Sequence, residues 1–284
     1  MSIFAAALIP TFRALRWQRV VSSFDPSITR PKTLMATFMA YLTNLVIPYS
    51  HEVTRCVTIH RSSANKNAAP YERLIGVAAF ERVCDIVCIA LILTGLLIVA
   101  WNSYAQYLND NFAKPAARMG WIPVVAIIVL LAAIVVTIRI IRSKRQRSKI
   151  CARICESLDG LAEGFKGLSQ VRNKKAFLLE SALIWVMYWM QILLASYSFP
   201  GMVDIGPLDC LFLSLLGPIS SVVPVPGGFG AFHIIIATAL SGLYGAEWET
   251  GIIFATLVHE SQVLVFIVLG SIAFLSKGKS YLSL

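Results

Sequence analysis

Charge is the scarcest ingredient of this sequence. Only 14% of its 284 residues are Asp, Glu, Lys or Arg, where a soluble domain carries about 25%. Hydrophobic residues make up 57%, too many to hide inside one water-facing globule, so the bilayer is expected to be the solvent. A chain of 284 residues has room for roughly six or seven crossings of about 20 residues each, and none for a sizeable soluble domain besides.

Other absences exclude whole classes of chemistry. No Walker motif, no GxSxG and no HExxH occurs, so nucleotide-driven, serine-hydrolase and zinc-protease readings have no support. The six cysteines form no CxxC; Cys84 and Cys88, like Cys151 and Cys155, are four apart and no His pair accompanies them. They read as small, reduced, buried residues, and no metal and no cofactor is expected. Residues 3–12 are apolar, but their positive charges (Arg13, Arg16, Arg19) follow instead of preceding them, the reverse of a signal peptide. The net charge of +10 resides in short loops beside apolar segments, where it sets orientation and meets anionic headgroups. Nucleic acid is therefore excluded as a partner.

What is present is a series of long apolar runs bounded by charge. Residues 74–100, 121–141, 176–199 and 251–275 are each long enough to cross about 30 Å of hydrocarbon. Residues 3–12 would cover only about 15 Å. Either Arg13 and Arg16 snorkel, or the chain starts partway through a longer arrangement that includes a further first helix. Loop charge gives the orientation. Arg139, Arg142, Lys144, Arg145, Arg147, Lys149 and Arg153 cluster in one stretch, followed by Lys166, Arg172, Lys174 and Lys175. This basic loop, residues 142–175, is expected to be cytoplasmic. Arg55, Arg61, Lys66 and Arg73 put the preceding loop on the same side, as do Lys277 and Lys279 the tail. Residues 101–120 hold only Lys114 and Arg118. Within the basic loop, residues 151–168 repeat Ile154, Leu158, Leu161, Phe165 and Leu168 at helical spacing. That marks an amphipathic helix lying on the interface or packed on the bundle.

Two segments do not fit as ordinary spans. Residues 34–48 are short and flanked by basic residues at both ends, Arg30 and Lys32 before, Arg55 and Arg61 after. The simplest solution is a re-entrant hairpin turning near Asn44 to Pro48. Residues 208–244 are interrupted by Pro224, Pro226, Gly227, Gly228 and Gly230, which end a first half-helix. With Asp204 before it, Asp209 at its start and Glu247 and Glu249 after it, this segment reads as a hairpin from the outside. Two short spans would preserve the same topology. Irregular backbone at membrane depth survives only against protein or a polar cavity, and paired broken segments point to a transport site. The fold class is therefore all-α, one polytopic transmembrane bundle over residues 1–284 with two broken or re-entrant hairpins.

Ionisable groups inside spans cost roughly 2.5–3.5 kcal/mol each and so require a reason. Glu81 and Asp85 share a helix face, and Arg82 is within reach of Asp85 at a spacing of three. They make either an internally neutralised packing cluster or a polar cavity wall, with Arg82 free to fork onto a phosphate. Glu52 and Arg55 form a second pair beside the first turn, placed to face Glu81 and Arg82. Glu180 reads as interfacial. His259, beside Glu260 and Gln262, reads most simply as a hydrogen-bonding partner of its neighbours. Gly227, Gly228 and Gly230 lead into a helix near Ala231, next to His233, where free N–H groups favour an anion.

Taken in order, Arg13-Ala14-Leu15-Arg16-Trp17, Asn44-Leu45-Val46-Ile47-Pro48 with Glu52 and Arg55, Glu81-Arg82 with Asp85, and Pro226-Gly227-Gly228-Phe229-Gly230 resemble one family over nearly the whole chain. It is the flippase-like family named after the membrane half of lysylphosphatidylglycerol synthase. The resemblance implies an integral inner-membrane protein that handles lipids; in the bifunctional synthases this half is associated with moving the aminoacylated lipid between leaflets. It does not carry over the synthase activity, because the chain ends soon after its last span. Where the family usually has Gly-Glu this chain has His51-Glu52, and His233 stands where Glu often follows the glycine motif, so charge at the expected site differs.

The expected function is translocation of an anionic, aminoacylated or polyprenyl-phosphate lipid. Asn44, Glu52, Arg55, Glu81, Arg82, Asp85, Gly227, Gly228, Gly230, His233 and His259 are its binding residues, and none is assigned a catalytic role. The alternatives are a lipid-modifying transferase or hydrolase using Glu52 or Glu81 as general base, and a non-catalytic subunit of a glycosyltransferase system. The expected partners are a membrane phospholipid or polyprenyl-phosphate lipid, with a membrane protein or a second copy of the chain as further candidates.

Overall fold

The first helix extends well past its apolar stretch. In the computed structural model, which describes residues 2–114, 122–143, 149–165, 171, 173–198 and 205–278, α1 runs over Ser2–Val21. At 20 residues it is about 30 Å long. Its second half carries Arg13, Arg16 and Arg19 at a spacing of three, on one side of the helix. Of the two alternatives for this stretch, the structure does not show snorkelling of Arg13 and Arg16: they are 7% and 0% exposed.

The remaining elements follow the punctuation of the sequence. Pro31 sits in the first turn of α2 (Arg30–Asn44), where its missing N–H costs nothing. The chain turns at 45–49 into α3 (Ser50–Ser62). Pro70 precedes α4 (Tyr71–Val99), which is followed by α5 (Trp101–Leu108) and a π turn over Asn109–Ala113. Next come α6 (Ile122–Ser143), α7 (Lys149–Phe165) and α8 (Lys174–Ser196), whose N-cap Asn173 accepts the Ala176 N–H through its side chain. The second interrupted segment becomes α9 (Pro207–Ser220), a 3-10 turn at Pro226–Gly228 and α10 (Ala231–Tyr244). Finally α11 spans Trp248–Ala273. Lys144, Arg145, Arg147, Lys166, Arg172, Lys279, Arg118 and Asp204, on which part of the charge asymmetry rests, lie outside the described residues.

Among the described residues, four helical segments, Tyr71–Val99, Lys174–Ser196, Pro226–Tyr244 and Trp248–Ser276, are long and apolar enough to cross a membrane. No strand occurs among the described residues. The polarity is that of a lipid-solvated bundle: Ile86, Leu91 and Ile98 on α4 and Leu264 and Ile272 on α11 are exposed, while arginines and carboxylates are buried. By contrast α2 and α3, with 15 and 13 residues, reach only about 20–23 Å each.

Helix α1 is the hub, packing against α2, α4, α8 and α11. One apolar core, around Trp17, Ile59, Leu74, Val77 and Phe177, joins α1, α3, α4 and α8. A second, around Phe212, Leu213, Ile236, Leu240 and Phe254, joins α9, α10 and α11. The amphipathic α7 packs along α4, close enough that a Cβ on Gly160 would lie 3.0 Å from the Cβ of Glu72. The turn between α1 and α2 is fastened by Asp25, which accepts the Ser27 N–H and hydroxyl on one oxygen and the Ser63 hydroxyl on the other. Burial alone would raise its pKa, but these hydroxyls and nearby Lys32 hold it below the ordinary carboxylate value.

Helices α2 and α11 approach closely because Gly270 has no side chain. A Cβ there would stand 2.5 Å from the Cβ of Leu42 and 2.9 Å from the Phe38 carbonyl oxygen. Gly270→Ala is therefore expected to destabilise the protein by about 1–3 kcal/mol, the usual cost of overpacking. Gly95→Ala, with nothing within 4 Å, should be neutral or slightly stabilising through helix propensity. Thermal unfolding in detergent checks the pair, and equal midpoints would show that the α2–α11 contact yields freely.

Candidate functional site

The two interrupted segments meet. A Cβ on Gly227 would lie 3.1 Å from Leu45 Cδ2 and 3.7 Å from Leu45 Cα, and Gly227 has φ 61°, so both space and backbone demand glycine here. Across the same junction, Tyr49 donates its hydroxyl to the Val222 carbonyl oxygen at 2.8 Å. Tyr49 also caps α3 at φ 58°, a left-handed conformation that a bulky side chain rarely adopts. Between the two turns lies a cavity of about 520 Å³. Its wall combines Arg13, Asn44, Glu52, Arg82, Gly228 and His259 with apolar surface from Leu45, Val222 and Phe266.

Behind the polar wall lies a continuous ion-pair network. Arg13 Nη1 reaches Asp85 Oδ2 at 2.8 Å, and Arg16 Nη1 reaches Asp85 Oδ1 at 2.8 Å. Arg16 Nε also faces Glu81 Oε1 at 3.3 Å. Arg55 Nη2 bridges Glu52 Oε2 at 2.7 Å and Glu81 Oε2 at 2.8 Å, its guanidinium 4.2 Å above the ring of Trp17. Arg82 Nη2 closes on Glu52 Oε1 at 2.6 Å, its side chain 51% exposed. Four arginines thus share three carboxylates, Glu52, Glu81 and Asp85, leaving one positive charge over. Arg13 Nε, Arg16 Nη2 and Arg55 Nε, though buried, have no hydrogen-bond partner among the described residues.

The glycine turn behaves differently from the donor cradle that its composition suggests. The Gly228 and Phe229 N–H groups are spent on the carbonyls of Val225 and Pro226, and the Gly227 carbonyl oxygen lies 2.9 Å from His259 Nε2. Nearby, the Gln191 amide donates to the Val258 carbonyl and the Ser261 hydroxyl, and its carbonyl oxygen accepts from Gln262.

Of the residues singled out in the sequence, Asn44, Glu52, Arg82, Gly227, Gly228 and His259 line the cavity. Arg55, Glu81 and Asp85 form the layer behind it, while Gly230 and His233 are outside its wall. Arg82 and Asp85 do not pair: Glu81 and Asp85 face α1, and Arg82, one residue round the helix, faces Glu52 on α3. Glu180, expected at the interface, is buried and takes Arg19 at 2.6 Å. The main residues missed as site groups are Arg13 and Arg16. Their spacing of three, complementary to carboxylates four apart on α4, was the available signal.

Comparison with known proteins agrees with this reading of the chain as a membrane unit. A family model described as the lysylphosphatidylglycerol synthase TM region matches residues 1–270, and the chain belongs to that family. No curated protein and no solved structure matches it.

Removing one partner from a buried ion pair leaves a charge uncompensated, at a cost of about 3–5 kcal/mol. Asp85→Asn, which strips Arg13 and Arg16 of their shared carboxylate, should lower stability by that order. Arg82→Gln, breaking a pair open to solvent, should cost about 0–1 kcal/mol. Unfolding of the two variants in the same detergent gives the comparison, and equal losses would contradict the division into a buried lock and an exposed rim.

Proposed function

We propose that this integral membrane protein of a lipid-handling family is a translocator, moving an anionic phospholipid or a polyprenyl-phosphate lipid between leaflets through the cavity between its two hairpin turns. The observation that carries the reading is the surplus arginine charge at that cavity. Arg82 is half exposed on its wall, and Arg13 lines it with an unpartnered Nε. A phosphate offers the acceptors and the negative charge that these donors lack, and guanidinium binds it in a planar fork. Leu45, Val222 and Phe266 supply apolar surface beside the arginines, which suits an amphiphile. A polar headgroup crossing hydrocarbon unaided meets the full penalty of desolvation, and a lined path lowers that barrier.

In this reading the basic loops face the cytoplasm of the inner membrane. The turn at 45–49 dips in from that side, and the turn at 221–230 from the other. Arg55, paired with two carboxylates and 2% exposed, positions Glu52 and through it Arg82. Glu52 is a poor general base in this setting. Its oxygens are held by Arg55 and Arg82 at 2.7 and 2.6 Å, and taking up a proton would forfeit those two charge-assisted contacts. That disfavours a lipid-modifying enzyme centred on Glu52.

Reconstitution in liposomes with a fluorescent phosphatidylglycerol or polyprenyl-phosphate probe tests the proposal through access to a membrane-impermeant quencher. The wild type should expose probe from the inner leaflet. Arg82→Gln should slow exposure roughly tenfold, the kinetic equivalent of one lost charge-assisted hydrogen bond. Absence of movement with either lipid in folded protein would overturn the translocator reading.

A further inference from the structure

A second constellation stands where α10 and α11 meet, and the ion-pair network does not use it. His233 on the first turn of α10 and His259 with Glu260 on α11 bring three ligand-capable atoms, one from each residue, within 4.8 Å of one another. The two imidazole rings have centroids 5.1 Å apart. Phe229 and Phe232 pack against both rings, with Phe229 stacked on His233 and edge-on to His259.

Hydrogen bonding fixes the chemistry of these nitrogens. The Gly227 carbonyl can only accept, so His259 Nε2, 2.9 Å away, must carry its proton. In the neutral ring the lone pair then lies on Nδ1, and Nδ1 is 3.3 Å from Glu260 Oε1. Two acceptors face one another there, which is stable only with a cation or a proton between them. His233 adds a third. It is 9% exposed, and its Nδ1 is buried with no hydrogen-bond partner among the described residues. An imidazole that donates one N–H to a backbone carbonyl while offering the other nitrogen is the usual state of a metal-bound histidine, since the outer bond fixes tautomer and ring orientation.

We propose that His233, His259 and Glu260 bind a divalent ion of the zinc type. Two imidazoles and one carboxylate suit borderline ions such as Zn2+ and Co2+, whereas Ca2+ and Mg2+ prefer sets composed of oxygen. Three protein ligands leave a coordination position open, and His259 is itself part of the cavity wall. An ion here adds positive charge at the glycine-turn end of the cavity, separate from the arginines. No spacing rule in the sequence finds this set, because its two histidines come from different helices and meet only after the 3-10 turn at Pro226–Gly228 has folded.

The test is metal binding by the full-length protein in detergent, read independently of any transport. Purified protein stripped with chelator is titrated with Zn2+, and in parallel with Co2+ followed by its visible d–d absorption. The expected result is one equivalent bound with a tetrahedral cobalt spectrum. His233→Ala and Glu260→Gln should each weaken binding by more than about tenfold, the loss that disturbing even the outer partners of a metal site brings. His60→Ala, a histidine on α3 outside the cluster, should bind as the wild type does. The cobalt spectrum of the wild type stands without any variant, so misfolding of a mutant does not rescue the proposal. Failure of the wild type to bind either ion would place a proton between His259 and Glu260 and overturn it. A thiolate-to-cobalt charge-transfer band would put the ion on cysteine and overturn it equally.

Discussion

Two arginines of α1, Arg13 and Arg16, are buried inside the bundle, and the rest of the molecule is arranged to make that tolerable. Arg16 is fully buried and Arg13 nearly so. Each finds a carboxylate on α4 within 2.8 Å, and Arg19 finds one on α8. An unpaired charge in this position costs several kcal/mol, so the register of α1 against α4 and α8 is set by charge matching more than by the shape of its small apolar side chains. Arg55 and Glu81 then extend the same network to α3, which carries Glu52 and His51 to the cavity wall.

Irregular backbone is handled on the same terms. Peptide groups freed in a turn need partners, and here those of the second turn find them in three places. The Tyr49 hydroxyl takes the Val222 carbonyl, the His259 ring takes the Gly227 carbonyl, and the N–H groups of Gly228 and Phe229 are satisfied within their own turn. The cavity exists because two broken helices cannot fill the volume between them as two continuous ones would.

Much of the architecture is legible in the sequence because long apolar runs bounded by charge leave few choices. The helices α4, α8 and α11 fall where residues 74–100, 176–199 and 251–275 place them, and the prolines and glycines after Ser220 break the chain where they stand. The contact of Glu52 and Arg55 with Glu81 and Arg82 is legible too, as acid–base pairs one turn apart on helices that must meet. Arg13 and Arg16 do not stand out as site residues because charge after an apolar stretch ordinarily ends a span. Nothing local distinguishes an arginine that ends a helix from one whose carboxylate is 72 residues away. The pairing of Arg82 with Asp85 fails for the complementary reason: proximity along one helix loses to a partner across a helix contact. The meeting of His233 and His259 depends wholly on tertiary structure.

The burial of α1 also has a consequence for the order in which the molecule is made. Arg16 waits for Glu81, 65 residues later in the chain, and Arg19 for Glu180, 161 residues later. Until those helices emerge, α1 carries three cations that an isolated helix cannot hold in hydrocarbon, at roughly 2.5–3.5 kcal/mol each near its centre. Its apolar half alone offers only about three turns to offset them. Helix α1 is thus among the last of these helices to settle, and becomes the centre of the bundle only when its counter-charges arrive.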